Sequence, residues 1–398
     1  MLDQISSKIS EIEKAIEGIW KNEYPLALFT GIGGLPLFYY MLYKVEGNKI
    51  YLEKINEVVG HLYKKLDTDE YGVTYSSGLS GVASILNYLN EKKIIENIDE
   101  DLIFMDEIIL NFTFNNLTSI DDTDFLHGAL GACTYLIERT KYNSVVKEKI
   151  NDLIHKLCHI LNEDIIKGYK VNSTLEYDDS THRTNCGLAH GRVAEILILC
   201  KYFSLYPNNS YVKETIFNCT NSLIAFESDD KSSIYTYPSI AINKYTAYYK
   251  IHLGWCYGDQ AVSYGLYRAG QTLHNDLFLN KSIEIALKTL QRNSMETAIL
   301  SNSYDGGFCH GAASVAYLHK KWFEITGNEK FNIAYENFIN DLLDIGKNTE
   351  GIAGYRKHLG NGNYENAIGL LDGVIGIGIV LIDYMVDDND WDSFFLLD

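Results

Sequence analysis

The sequence predicts an all-α protein: a seven-fold α/α toroid with an inner and an outer layer of helices. Three observations predict it. A glycine-marked junction recurs seven times along the chain. Each junction opens a run that is apolar at nearly every position, as a helix buried all round requires. Between these runs lie segments with one charged face, as a helix with one wet side requires.

The junctions are TGIGGLPLFYYML (30–42), SGLSGVASILNYL (77–89), HGALGACTYLI (127–137), HGRVAEILILC (190–200), YGDQAVSYGLY (257–267), HGAASVAYLHK (310–320) and DGVIGIGIVLI (372–382). Their leading glycines are Gly31, Gly78, Gly128, Gly191, Gly258, Gly311 and Gly373. The spacing is uneven, so the chain reads as an internal repeat with insertions of variable length. Outer helices are expected in segments such as KINEVVGHLYKKL (54–66) and KSIEIALKTLQRN (281–293). A residue without Cβ lets helices approach closely and lets the chain turn sharply into a helix start. Seven such hairpins closing on themselves give a toroid. The other arrangement is an open helical solenoid, which usually keeps a more regular period.

Two segments break the helical pattern. Residues 168–185 are polar and turn-rich. Residues 231–254 (KSSIYTYPSIAINKYTAYYKIHLG) are rich in Tyr, Ile and Thr with rough alternation, which suits a small β-like insertion or a lid. The chain is otherwise read as one domain over residues 1–398, with 231–254 an extension within it. Only four prolines occur, which argues against Pro-rich linkers.

Charge and cysteine usage narrow the function. The net charge of −19 makes a nucleic-acid partner unexpected, because phosphate binding needs clustered Lys and Arg. The start of the chain, MLDQISSKISEIEKAIEGIW, is amphipathic and charged and lacks the apolar core of a signal peptide. The most apolar stretch, GVIGIGIVLI (373–382), is too short and Gly-rich to span a bilayer. Seven cysteines, an odd number with no CxxC, form no disulfide framework. A cytoplasmic protein with reduced thiols is expected, in which cysteine is available for metal or catalysis.

The residues just before the leading glycines are Thr30, Ser77, His127, His190, Tyr257, His310 and Asp372, all polar. If the inner helices run parallel, these positions share one end of the barrel. One position earlier, the fifth and sixth repeats both carry cysteine, Cys256 and Cys309. These repeats are consecutive, so Cys256, Cys309 and His310 can converge from neighbouring helix mouths. Two thiolates and an imidazole suit Zn²⁺, and three protein ligands leave a fourth position open, as in a catalytic site. The bland reading stands beside it: two packed core cysteines and an unrelated histidine. Cys186 is a reserve ligand. His190 heads the fourth inner helix, and an imidazole there can exchange protons at neutral pH. Asp124 can orient an imidazole or serve only as a helix N-cap. His127 competes for the same role.

The set GLAHG (187–191), WCYGD (255–259) and CHGAA (309–313), in this order on seven Gly-marked repeats, resembles the lanthipeptide cyclase (lanthionine synthetase C-like) family. The resemblance covers essentially the whole chain. It implies a seven-fold α/α toroid with one zinc ion in its mouth. It also implies ring closure in a ribosomal lantibiotic precursor by adding a Cys thiol to dehydroalanine or dehydrobutyrine. Carried over by motif, Cys256, Cys309 and His310 match the zinc ligands, His190 the catalytic histidine and Asp124 an acidic residue before the third-repeat glycine. Tyr257 and Trp255 match residues lining the site. Where the family has Arg three residues before the Trp, this chain has His252, so the cationic helper falls to His252 or Arg192.

The chemistry implied is consistent with those residues. A free thiol is mostly protonated at neutral pH, and coordination would deprotonate it. Addition builds an enolate whose α-carbon needs a proton, with His190 the expected donor. Inner-helix N-termini would add positive potential. The resemblance also implies partners: a dehydrated precursor peptide, a dehydratase acting earlier and a membrane exporter, with peripheral membrane association through them. Two rival readings remain at this level. One is a zinc- and thiol-binding scaffold without cyclase activity; the other is a different zinc thiol-alkylating α/α-barrel.

Overall fold

The computed structural model describes residues 1–21, 24–167, 184–230, 232–243, 246–248, 252–299, 305–386 and 388–398. The turn-rich stretch 168–185 lies outside them except for Thr184 and Asn185. The chain packs as two compact units. A terminal unit combines Met1–Met105 with Asn293–Asp398, and a central unit spans Asp106–Arg292.

All seven junctions open helices. In the terminal unit these are Leu35–Glu46, Leu79–Glu91, Ala312–Thr326 and Val374–Val386; in the central unit they are Ala129–Arg139, Arg192–Leu205 and Asp259–Leu273. They are buried nearly all round: Leu35–Glu46 buries every residue from Leu35 to Leu42. Half-exposed helices pair with them. Leu2–Ile19 buries Ile5, Ile9, Ile12 and Ile16, one apolar stripe at helical spacing. Burying each of those isoleucines is worth about 1.5–3 kcal/mol. Ile50–Thr68 does the same with Tyr51, Ile55, Val58, Val59 and Leu62. The first junction differs in phase. Its helix starts after Gly34 rather than Gly31, with Pro36 in the first turn, where the missing N–H costs nothing.

The leading glycines share one steric reason. A Cβ on Gly31, Gly78, Gly128, Gly191, Gly258 or Gly311 would collide with backbone of the residue six positions earlier: Pro25, Gly72, Asp122, Asn185, His252 or Asp305. The loop therefore folds back over the helix start. In four junctions the residue after the glycine donates its N–H to the carbonyl seven back: Ile32 to Pro25, Leu79 to Gly72, Ala312 to Asp305 and Val374 to Ala367. This bonding occupies amides that an uncapped helix start leaves open. Close approach of helices, the other reason expected of glycine, does occur at Gly378. A Cβ there would strike Phe38 and press on Ile12.

Within the terminal unit the junction loops are stitched by backbone hydrogen bonds. Phe308 and Cys309 donate to Leu371 O, Leu371 donates to Phe29 O, and Phe29 donates to Ser76 O, at 2.6–3.0 Å. The seventh repeat is thus bonded to the first, as ring closure requires and an open solenoid does not. Helix Leu2–Ile19 packs against the last inner helix, Val374–Val386.

The expected β insertion is present. Strand β1 (Thr184–Asn185) pairs antiparallel with β2 (Ile240–Asn243), and β2 with β3 (Thr246–Tyr248). Asp259, at the start of the fifth inner helix, accepts the N–H groups of Thr236 and Tyr237 and pins the segment leading into β2. A second hairpin, β4 (Lys357–Gly360) and β5 (Asn363–Glu365), precedes the seventh junction. No described helix is long and apolar enough to cross a membrane.

Candidate active site and metal ligands

The central unit holds His190, Asp124, Tyr257, His252 and Cys256; the terminal unit holds Cys309 and His310. In the central unit a 3-10 turn, Ile120–Asp122, sets up the loop before the third junction. The Asp122 carboxylate accepts the N–H groups of Thr118 and Ser119 at 2.8 Å and holds that turn closed. Asp124 follows. Its Oδ1 accepts the N–H groups of Leu126 and His127, each at 2.8 Å, and its Oδ2 meets His190 Nδ1 at 2.7 Å. Asp124 holds its own loop and orients the imidazole; it is not the helix N-cap, a place taken by Gly128 with no side-chain cap bond. Burial works against the Asp124 charge. The hydrogen bond and charge of His190, with the His127 amide, outweigh it and hold the carboxyl below its usual range.

With Nδ1–H given to Asp124, His190 turns Nε2 outward as the nitrogen that exchanges protons. His127 stacks on the His190 ring, centroids 5.7 Å apart, and burial pushes its pKa down. Tyr257 lies on another side of His190, centroids 6.2 Å apart. Its hydroxyl accepts from Asn185 Nδ2 at 2.9 Å, and Asn185 Oδ1 accepts the Gly187 N–H. A Cβ on Gly187 would strike the Tyr257 ring. The fourth and fifth junctions are also tied through backbone, since Cys256 O accepts from Leu188 and Ala189. Trp255 is fully buried edge-on to Phe125.

Of the two cationic candidates, His252 is buried with its carbonyl against Gly258. Arg192 is committed elsewhere. Its guanidinium bonds Asp164 at 2.6 Å and lies 2.9 Å from Glu195, fully buried. Glu195 in turn accepts the Thr123 hydroxyl at 2.8 Å. Burial pushes the Glu195 carboxyl up, against the pull of Arg192. This ion network escapes sequence reading because its members meet only through the fold.

In the terminal unit Cys309 and His310 stand at the mouth of helix Ala312–Thr326. Cys309 is partly exposed and the His310 side chain is 21% exposed. His310 Nε2 lies 3.5 Å from Asp305 Oδ2. Asp305 was missed in the sequence. It is buried, accepts the N–H groups of Gly307 and His358, and stands six residues before Gly311. Burial disfavours charge on His310, yet Cys309, Asp305 and Asp372 raise its pKa to about 10. Asp372, the polar residue of the seventh junction, takes Lys357 of β4 at 3.0 Å.

The remaining cysteines are of another kind. Burial pushes the thiols of Cys133, Cys158, Cys186 and Cys219 up to about 12, and that of Cys200 to about 11. Cys186, the reserve ligand, is among these inert core thiols, its sulfur 3.8 Å from Thr184 O.

Comparison with known proteins places these features in context. The model of the "Lanthionine synthetase C-like protein" family matches residues 22–396. Among solved structures, nisin cyclase superposes with a TM-score of 0.72 at 20% identity, covering 99% of this chain and 96% of that one. That likeness shows the fold, and with it the all-α toroid class expected from the sequence. A looser likeness is to cellobiose 2-epimerase from Bacillus thermoamylovorans, TM-score 0.48 at 12% identity, covering 98% of this chain and 100% of that one.

Proposed function

The chain belongs to the lanthionine synthetase C-like family, and from that premise we propose that it is a zinc-dependent cyclase. It would add peptide Cys thiols to dehydroalanine or dehydrobutyrine and so form (methyl)lanthionine rings in a lantibiotic precursor. The observation that carries the reading is the 2.7 Å Asp124–His190 pair at an inner-helix mouth, in a chain that also bears the CHG motif at another.

Cys256, Cys309 and His310 would hold one zinc ion. The donor chemistry fits: two thiols and an imidazole suit zinc and leave one position for substrate. Asp305 behind the His310 ring is the carboxylate that zinc-binding histidines commonly lean on. When bound, the ion supplies a lowered pKa to a coordinating thiol. The other steps belong to side chains. As the S–C bond forms at the β-carbon, the alkene electron pair moves toward the substrate carbonyl. His190 then delivers a proton from Nε2 to the α-carbon and is recharged by the proton the thiol has lost. Asp124 keeps Nδ1–H engaged and stabilises the imidazolium. Tyr257 lines the site beside His190, and His252 stands where the family has its cationic helper.

In this reading residues 1–398 act as one catalytic domain, because the proposed donors come from both units. The substrate is a dehydrated precursor peptide, so a dehydratase acts before this enzyme and an exporter after it. The enzyme works in the cytoplasm, reaching the membrane only through those partners.

Two measurements test the proposal. Purified protein is incubated with a dehydrated precursor; alkylatable thiols should disappear with no change in peptide mass. Zinc is assayed in wild type and in Cys256→Ala, Cys309→Ala and His310→Ala. About one ion per chain, lost or sharply weakened in all three, is expected. Zinc without thiol loss would make the protein a thiol-binding scaffold. Zinc-free wild type, prepared without chelators, would reduce the cysteines to packing.

A further inference from the structure

The Asp124–His190 pair does not stand alone. Thr123, its chain neighbour, shares its hydroxyl proton between Glu195 Oε1 and Ile120 O, each at 2.8 Å, with the Thr123 and Glu195 side chains buried. Glu195 lies in the first turn of the helix that His190 precedes, and its N–H bonds Gly191 O. Arg192 sits 2.9 Å from the other Glu195 oxygen and is anchored by Asp164, from helix Ser144–Lys167, at 2.6 Å. A polar cavity of about 10 Å³ is lined by Thr123, Asn185, His190, Arg192 and Glu195, so the imidazole and the network face one small space. It has room for about one water molecule. Among the described residues, three buried polar atoms of its lining, Thr184 Oγ1, Arg192 Nε and Glu195 Oε2, accept or donate no hydrogen bond, although Glu195 Oε2 keeps its ion pair with Arg192.

Asp124 is held within its loop by Leu126 and His127. Those bonds fix its rotamer but not the loop's position relative to His190. The Thr123–Glu195 bond ties that loop to the helix carrying His190, and Arg192 and Asp164 hold Glu195 in place. We propose that Thr123 and Glu195 are positioning residues for the Asp124–His190 pair, acting through the Thr123–Glu195 hydrogen bond. Neither touches substrate.

The inference rests on the cyclase reading for its catalytic consequence but not for its structural one, and the test separates the two. Thr123→Val keeps the shape and removes the hydroxyl; Thr123→Ser restores it. Glu195→Gln keeps an acceptor oxygen for Thr123 and removes the charge. In the substrate-free protein, ¹⁵N-histidine spectra report the protonation and tautomer of His190, assigned by comparison with His190→Gln. Thr123→Val should weaken the Nδ1–H signature of the Asp124 bond, and Thr123→Ser should restore it. Glu195→Gln, which keeps the acceptor, should leave the signature in place, whereas Glu195→Ala should weaken it. In cyclisation assays Thr123→Val should lower kcat roughly tenfold with KM unchanged, as expected of a pair displaced by a fraction of an ångström. Should Thr123→Val prove too unstable, Thr123→Ala and Glu195→Ala carry the same readouts. Unchanged His190 spectra and kcat in the folded Thr123→Val, Thr123→Ala and Glu195→Ala variants would overturn the inference even if wild type closes rings. A changed spectrum in a protein that closes no rings would sustain it and sink the cyclase reading.

Discussion

Two imidazole–carboxylate pairs stand at inner-helix mouths, one in each unit, and they are mirror cases. His190 gives Nδ1 to Asp124 at 2.7 Å, a short hydrogen bond to a carboxylate held below its usual pKa. His310 turns Nε2 to Asp305 at 3.5 Å, an ion-pair distance to a carboxylate that burial pushes up. The same two side-chain types thus engage opposite ring nitrogens, Nδ1 at His190 and Nε2 at His310. In the proposed reading the first pair passes a proton; in the other the carboxylate backs a ring whose neighbour is Cys309. What decides the job of a histidine here is which nitrogen its acid takes, and residue type alone does not reveal that.

The largest test of the contrast is to remove the rings. His190→Ala should lower cyclisation about a thousandfold, within the range for losing a positioned proton donor, with zinc content unchanged. His310→Ala should do the reverse and lose the metal first. If both variants lose zinc equally, the division of labour is wrong. Asp124→Asn should cost about a hundredfold in kcat with little change in KM, because the amide can present an N–H where His190 needs an acceptor. Asp305→Asn should leave turnover at saturating zinc within about threefold while weakening metal affinity ten- to hundredfold, read by competition with a chelator. A greater loss of turnover than of affinity in Asp305→Asn would make the two pairs alike.

The smallest effect is in stability against pH. Asp124 has a depressed folded pKa. Its contribution is therefore fully present above its unfolded pKa of about 4 and is lost as pH falls through the lower folded value. Melting curves of wild type should show this acid-side loss, and Asp124→Asn should lack that component. Asp305 has the opposite shift, raised by burial. A group raised in the folded state detracts from stability above its unfolded pKa, so Asp305→Asn should melt relatively better as pH rises through that region. Parallel pH profiles for the two variants would remove the distinction between the pairs.

Much of this was legible in the sequence, for identifiable reasons. The seven junctions showed because each needs a residue without Cβ where its loop folds back on itself. Their steric partner did not show. It is the loop's own backbone six residues back, a contact with no side-chain signature. His190, Cys309 and His310 were readable because they sit in register at those junctions. Asp305 was not, because a buried acid in DGG looks like a turn residue. Arg192 looked available as a cation. Its commitment to Asp164, on an outer helix, and to Glu195 is a product of packing. Asn185, which sets the Tyr257 hydroxyl, is likewise placed by β1 and carries no motif.

The bond from Leu371 to Phe29, and the seat of helix Leu2–Ile19 on helix Val374–Val386, bear on how the chain is made. Helix Leu2–Ile19 finds its partner on helix Val374–Val386 only after the residues between them have been made. At about 5–20 residues per second, that is a wait of roughly 20–75 s. Throughout it the isoleucine stripe of Ile5, Ile9, Ile12 and Ile16 has no inner helix to cover it. Joining the first repeat to the seventh thus has to wait for the seventh, and the most non-local contacts in the terminal unit set its pace.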